Sequence, residues 1–520
     1  MIDLVFLWHM HQPRYADPRT GRIVVPWVRL HACSGYLDMA RMFERHPEVR
    51  ATVNFVPSLV QQIEEMLDGK KDDLELLSER PADSLDEAEQ KALIGRSFSV
   101  NYRAIQARPR FSHLAAKKQA HEPFSTADLR DLSCLFALGW LGFAAHEDDP
   151  EIRKLDRKAH DYTEDDKAYL LAAIRKAAGK VLPAWRALAA TGQVEISSSP
   201  FYHPIVPLLL DTDVARTSLP HDPLPERFSA PEDAKEQIER AIRFHERAFG
   251  QKPKGMWPPE GSVSSEAVAL YHSAGIEWLC ADVHTLARSI PHPEHNPHSR
   301  LHLHRGVTMA FRDQDLSDRI GFRYAHMPES AAVDDFMGAT RHLGGQDGCV
   351  FVFLDGENPW ETFSHRGEPF LETLYQRLAF EKRAGHVTTR TMSEVVAARG
   401  PGRPLERLWP GSWISAAYRI WIGDGAKNRA WTALRAAHAR LEEARKQHGA
   451  SDERVLKARE HMLVAEGSDW FWWYGEPNSS AEDPLYDELF RGHLREAYRA
   501  LGDTPPPELD IPISKPRSAA

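Results

Sequence analysis

The sequence predicts an α/β fold of parallel strands and crossover helices, with a long helical insertion and a helical C-terminal part. Three features predict it. Cys349–Leu354 is an unbroken apolar run, the pattern of a strand buried on both faces. Between residues 232 and 354, short apolar runs alternate with amphipathic helical patterns. The stretch 58–190 and the chain beyond about 405 contain no convincing strand.

In chain order, the apolar run Ile2–Trp8 predicts a strand, Leu37–Phe43 a helix, and Thr52–Val56 a short strand halted by Pro57. Residues 60–190 are charged and carry Leu129, Leu132, Leu135, Phe136 and Gly139 at helical spacing, so they form the insertion. Val194–Ser197 restores a strand after Gly192. The helix over 232–249 presents Ile238, Ala241, Ile242, Ala248 and Phe249 on one face and is closed by Gly250. A strand then leads to Glu260. Ser264 caps a helix that runs through Ala274 and stops at Gly275. Ile276–Cys280, Val307–Phe311 and Cys349–Leu354 are the remaining strands. Residues 426–465 and Asp487–Leu501 are helical, and the proline-rich end is an extended tail. The expected units are 1–400, 401–505 and a tail over 506–520.

A chain of 520 residues is too long for one small core. Its formal charge of −10 comes from interspersed acids and bases, with no basic field to neutralise phosphates. Nucleic acid and anionic membrane surfaces are therefore excluded as expected partners. Asp3 and the absence of a basic flank argue against a signal peptide. Cys33, Cys134, Cys280 and Cys349 are scattered, so they read as buried free thiols in a reducing cytoplasm.

Two carboxylates stand just past strands. Asp355 opens Asp355-Gly356-Glu357-Asn358-Pro359-Trp360, where loss of water suits a general acid, or else it stabilises a turn. Glu357 is a rival for the acid role or a partner to it. Glu260 ends Trp257-Pro258-Pro259-Glu260, where two prolines fix its angle; alternatively it complements the dipole of the next helix. Two acids with aromatic neighbours are what glycosidic-bond cleavage requires. His9 and His11 alternate at the end of the first strand and so point the same way. They can donate to sugar hydroxyls or anchor a metal, and sugar contact is the expectation because further ligands are not evident nearby. His203, in Tyr202-His203-Pro204, joins this cluster or packs in a braced loop. The stretch His292, His295, His298, His302 and His304 reads as a solvated loop. Asp469 and Trp470, in the aromatic run Trp470–Tyr474, border the cleft or belong to an interdomain core.

Taken together, His11-Gln12-Pro13, Tyr202-His203-Pro204, Trp257–Glu260, Asp355–Trp360, and Gly411-Ser412-Trp413-Ile414 with Trp421-Ile422-Gly423 resemble glycoside hydrolase family 57, in its α-amylase and amylopullulanase branch. The resemblance spans nearly the whole chain. It implies an incomplete (β/α)7 barrel with a helical domain closing over the cleft, a retaining mechanism on α-glucans or maltooligosaccharides, and no metal or other cofactor. It implies Glu260 as nucleophile and Asp355 as general acid/base. His9, His11, Gln12, His203, Trp257, Trp360, Trp413, Trp421, Asp469 and Trp470 are the expected substrate contacts. Two departures stand out: Ala416-Ala417-Tyr418-Arg419 replaces a usual acid-and-polar mixture, and Asp424 stands where Glu is common. Hydrolysis is expected, with a 4-α-glucanotransferase or branching enzyme as the near alternatives. A metal-dependent amidohydrolase or deacetylase, and a non-catalytic carbohydrate-binding protein, are the alternatives of another class.

Overall fold

The computed structural model describes residues 1–291 and 296–514. Its strands are β1 (Ile2–Met10), β2 (Ala51–Phe55), β3 (Val194–Ser197), β4 (Gly255–Met256), β5 (Trp278–Asp282), β6 (His302–His304), β7 (Val307–Arg312), β8 (Cys349–Asp355), β9 (Val387–Thr389) and β10 (Arg403–Pro404).

Two parallel ladders, β3–β2–β1–β8 and β7–β5–β4, curve toward each other. Thin seams join them. Ser198 bridges to Met256 between β3 and β4, and the Asp313 amide donates to the Phe351 carbonyl at 2.9 Å between β7 and β8. Closure through single contacts makes this an incomplete (β/α)7 barrel. β1 is an inner strand of the first ladder, in register His9↔Asp355 with β8 and His9↔Asn54 with β2.

Strand alternation divides the core. Val5, Leu7, Trp257, Trp278, Cys280, Ala310, Phe351 and Phe353 fill the barrel interior, whereas Leu4, Phe6 and Trp8 pack outward under the helices. β1 is buried on both faces, as is β8 up to its last residue, which explains their continuous apolar composition. The inward series continues to the C-terminal mouth as His9 in β1, Asp282 in β5, Arg312 in β7 and Asp355 in β8.

Between β2 and β3 the described chain is helical, from Pro57–Leu67 to Val181–Ala190. The amphipathic helix forms over Pro231–Phe249 and ends at Gly250 with φ 79°. Ser264 caps Ser265–Ser273 by accepting from the Ala267 amide. The C-terminal helical stretch divides into Gly425–His448 and Glu453–Ala465 around Gly449, with Asp452 capping the second helix, and Asp483–Ala500 follows.

Sequence periodicity missed three strands, β6, β9 and β10, which are two or three residues long and leave no pattern to detect. β6 also corrects the expected solvated histidine loop. His298, His302 and His304 are buried, with ring nitrogens paired to Asp313, the Pro297 carbonyl and the Leu405 carbonyl. These partners offset the burial cost of the imidazoles. His292 and His295 lie outside the described residues. The expected extended tail is docked where it is described: Leu509 is buried, and its carbonyl accepts from Arg491 and Arg495. Residues 515–520 lie outside the described part. The four cysteines are free and buried. Among the described residues, no helix is long and apolar enough to cross a membrane.

Candidate active site

Three imidazoles stack at the mouth of the barrel. His11 lies over His203 with ring centroids 4.0 Å apart, and His9 lies 5.1 Å from His203. His9 is anchored by Asn54 Oδ1 at 2.7 Å. Burial, with His11 nearby, pushes His9 down to about 3, and burial holds His203 well below the usual imidazole range. Both rings are therefore neutral near pH 7, and each can offer one donor and one acceptor. Nδ1 of His11 and Nε2 of His203 are buried without a protein partner.

Glu260 faces this stack, with Oε1 3.9 Å from His203 Nδ1. It occupies a short turn, Pro259–Gly261, in the left-handed region at φ 58°. A non-glycine residue pays strain there, and His203 does the same at φ 57°. Trp413 holds the strained Glu260 twice: its amide donates to the Glu260 carbonyl at 2.9 Å, and its indole N–H donates to Oε2 at 3.0 Å. Gly261 is required beside this latch, since it has φ 57° and a Cβ there would meet Trp413 Cβ at 3.1 Å. The side chain points at Trp413 and His203, so the dipole role for Glu260 is not the observed arrangement. Burial, then the charges of Asp469 and Asp355, push its carboxyl up to about 8 against the opposing indole bond.

Asp355 ends β8 beside His9. Burial raises its carboxyl, opposed first by the Asn358 amide at 2.9 Å and then by the fields of His11 and Arg312. Arg312 is buried, donates to Asp282 Oδ2 at 2.8 Å, and lies 4.8 Å from the Trp413 ring centroid. One guanidinium thus reaches Asp355 through its field and lies against the Trp413 ring that binds Glu260. Glu357 is buried and turned toward the His11 amide, which donates at 3.4 Å. Its carboxyl is raised well above the usual range by burial and by Asp355.

The C-terminal part supplies two further groups. Asp469 Oδ1 lies 2.8 Å from His11 Nε2, and Ser468 Oγ lies 3.0 Å from His203 Nδ1. The Ser468 amide also donates to the His203 carbonyl at 3.0 Å.

His11, His203 and Asp469 bring ligand atoms within 4.8 Å of one another, the one such group among the described residues. The two rings lie face to face with 24° between their planes. In that arrangement the in-plane lone pairs run side by side instead of converging on one ion, so the site does not fit a metal without rotation of a ring.

The structure thus brings together His9, His11, His203, Trp257, Glu260, Asp355, Trp413 and Asp469. Trp257 lies 5.8 Å from His9 and 5.1 Å from Trp413 between ring centroids. Four expected contacts have other surroundings. Gln12 accepts from Tyr15 at 2.8 Å, and Trp360 donates to the Gly356 carbonyl at 2.9 Å, bracing the loop after β8. Trp421 packs near Trp472, and Trp470 donates to the Val464 carbonyl at 2.8 Å. The rings of Trp360, Trp421 and Trp470 are enclosed by protein in this structure, as is that of Trp257.

Asn54, Asp282, Arg312 and Ser468 were not singled out from sequence. The first three carried the signal that exposed Asp355: a polar residue at or near the end of an otherwise apolar strand. Ser468 carried none.

Comparisons with known proteins agree with this architecture. The family model described as glycosyl hydrolase family 57 matches residues 5–405. Over 95 residues the chain is 30% identical to alpha-amylase 1 of Dictyoglomus thermophilum; that match spans 18% of this chain and 11% of the relative. Among solved structures, a GH57-type branching enzyme from Pyrococcus horikoshii superposes with TM-score 0.61 at 16% identity, covering 96% of this chain and 89% of that one. The alpha-amylase AmyC from Thermotoga maritima gives TM-score 0.62 at 14% identity, covering 96% and 93%. The 4-alpha-glucanotransferase from Thermococcus litoralis gives 0.54 at 16%, covering 96% and 59%. At these identities the structural likeness establishes the fold.

Proposed function

The chain belongs to glycosyl hydrolase family 57, and we propose that it cleaves α-glucosidic bonds of α-glucans or maltooligosaccharides by double displacement. Asp355 protonates the departing glycosidic oxygen while Glu260 attacks the anomeric carbon, forming a covalent glycosyl-enzyme. Asp355 then takes a proton from water, whose oxygen attacks the anomeric carbon and releases Glu260. The observation that carries this reading is that both acids stand at one imidazole stack: Glu260 Oε1 lies 3.9 Å from His203 Nδ1, and Asp355 is in register with His9.

Burial favours the protonated form that Asp355 needs as general acid, whereas Glu260 attacks only when ionised, so its raised carboxyl makes ionisation of the nucleophile the limiting requirement below about pH 8. His11, the partly exposed ring of the stack, contacts a sugar hydroxyl, with neutral His9 and His203 enclosed behind it. Trp413, which is only partly buried, offers apolar surface to the sugar ring, and the enclosed Trp257 backs it 5.1 Å away. The helices after residue 405 close the cleft through Asp469 and Ser468. The four buried free thiols fit a reducing compartment such as the cytoplasm.

Transfer to a second glucan shares the first half of this mechanism, and relatives of both kinds resemble this chain in fold. Hydrolysis is the proposed outcome. A digest of defined maltooligosaccharides, read by product length and linkage, tests it. New reducing ends support hydrolysis; conserved reducing ends with redistributed lengths, or new α-1,6 branches, select transfer instead. No change in any glucan overturns the reading.

A further inference from the structure

Outside the acid pair, three segments meet at Arg103. They are the insertion helix Tyr102–Gln106, the turns after β7 (Arg319–His326) and the loop after β8. Arg103 Nε donates to the Thr362 carbonyl at 3.1 Å and Nη2 to the Ala325 carbonyl at 3.0 Å. Asn101 adds a bond to the Phe363 carbonyl at 3.1 Å. The loop so held begins at Asp355, which Asn358 binds at 2.9 Å. The junction is therefore fixed to the segment carrying one of the two proposed catalytic acids.

Two aromatic side chains project from this junction into solvent. Phe322 is 79% exposed, the most exposed large hydrophobic side chain among the described residues, and Tyr102 is 49% exposed with Arg103 5.4 Å from its ring centroid. Phe322 sits in a π-helical turn, Arg319–Arg323, a geometry that recurs at functional sites. That turn follows the C-terminal end of β7, on the face of the barrel where the acids lie. Its conformation is imposed locally: Arg319 pairs with Asp315 and Asp335, and Tyr324 donates to Asp335 at 2.8 Å.

A lone exposed apolar side chain needs no explanation. Two aromatics on separate, hydrogen-bonded elements beside the same loop do. We propose that Tyr102 and Phe322 form an aromatic rim that docks the part of a long α-glucan extending beyond the cleavage point. This deepens the functional reading above and rests on it. The occupant follows from the chemistry. A glucan presents apolar C–H faces to flat rings and hydroxyls to the guanidinium and carbonyl groups between them, so it uses both components of the junction.

The test measures dissociation constants by calorimetry in a Glu260→Gln background, where turnover does not confuse binding. Phe322→Ala and Tyr102→Ala together are expected to weaken maltoheptaose by about tenfold, the loss expected for removing aromatic stacking. Maltotriose, which fills only the central subsites, is expected to change by less than about twofold. Phe322→Trp, with Tyr102 intact, is expected to retain maltoheptaose affinity. Both residues are exposed, so circular dichroism and thermal melting of the variants should match the parent. Equal weakening of both oligosaccharides, or of neither, overturns the rim. A Glu260→Gln protein that binds neither oligosaccharide, together with a wild-type protein inert on amylose, overturns the functional reading and the rim with it.

Discussion

Trp413 and Glu260 are joined by two hydrogen bonds, indole to carboxylate at 3.0 Å and amide to carbonyl at 2.9 Å, across 153 residues of chain. The indole bond stabilises the ionised carboxylate. Trp413→Phe removes that donor, so Glu260 rises further and the acidic limb of kcat/KM moves to higher pH. A hydrogen bond to a charged group contributes about 1.5–3 kcal/mol, so kcat/KM at pH 7 is expected to fall about ten- to hundredfold. A pH–rate profile with an unmoved acidic limb would contradict the role of Trp413.

Glu260→Gln should nearly abolish turnover yet stabilise the fold at alkaline pH. The folded carboxyl is held near 8, above its ordinary 4.5. Below pH 4.5 both folded and unfolded states are protonated, and burial of the neutral acid costs little. As pH rises from 4.5 through 8, the unfolded state releases a proton that the folded state retains, and stability declines. Glutamine stays neutral throughout. Thermal melts should therefore show a variant gaining on the parent at pH 8 and not at pH 4.5.

Asp355→Asn should also nearly abolish turnover, and it should lower Glu260 by removing a neighbouring negative charge. Carbon-13 carboxyl titration of the variant is the measurement; a Glu260 value unchanged from the parent would separate the two acids electrostatically.

Arg312→Met should destabilise the protein by up to about 3 kcal/mol, because it removes the guanidinium from buried Asp282 and leaves it only the amide and ring of His284. The same change removes the field that lowers Asp355 and the cation beside Trp413. Urea denaturation measures the first effect. Raised Asp355, read as an upward move of the limb it governs, measures the second.

Chelation should leave activity unchanged. The His11 and His203 rings stack instead of converging, and His11 Nε2 is engaged by Asp469 at 2.8 Å. Prolonged dialysis against EDTA, followed by assay and metal analysis, is the check. Loss of activity restored by one equivalent of zinc would favour the hydrolase class that uses a metal.

The barrel was legible wherever a strand was long enough to carry a pattern. β1, β7 and β8 announce themselves as apolar runs, and β3 was found to the residue after Gly192. β9 and β10 were not, since their pairing with β1 and β6 is decided by distant chain and not by their own composition. The histidine-dense stretch misled for a related reason. Imidazoles read as solvated in sequence, yet the Leu405 carbonyl and Asp313 make burial of His304 and His298 favourable.

Local chemistry alone determined which residues can end a buried strand in a polar group, and period-two alternation determined which of them point the same way along one strand: His9 and His11 are the example. What tertiary structure decided is which groups meet. Asp469 reaches His11 across 458 residues, and a strained Glu260 is latched by Trp413; neither contact leaves a local trace. Such pairings are paid for by packing of the whole chain, whereas strand and helix patterns are written within a few residues of themselves.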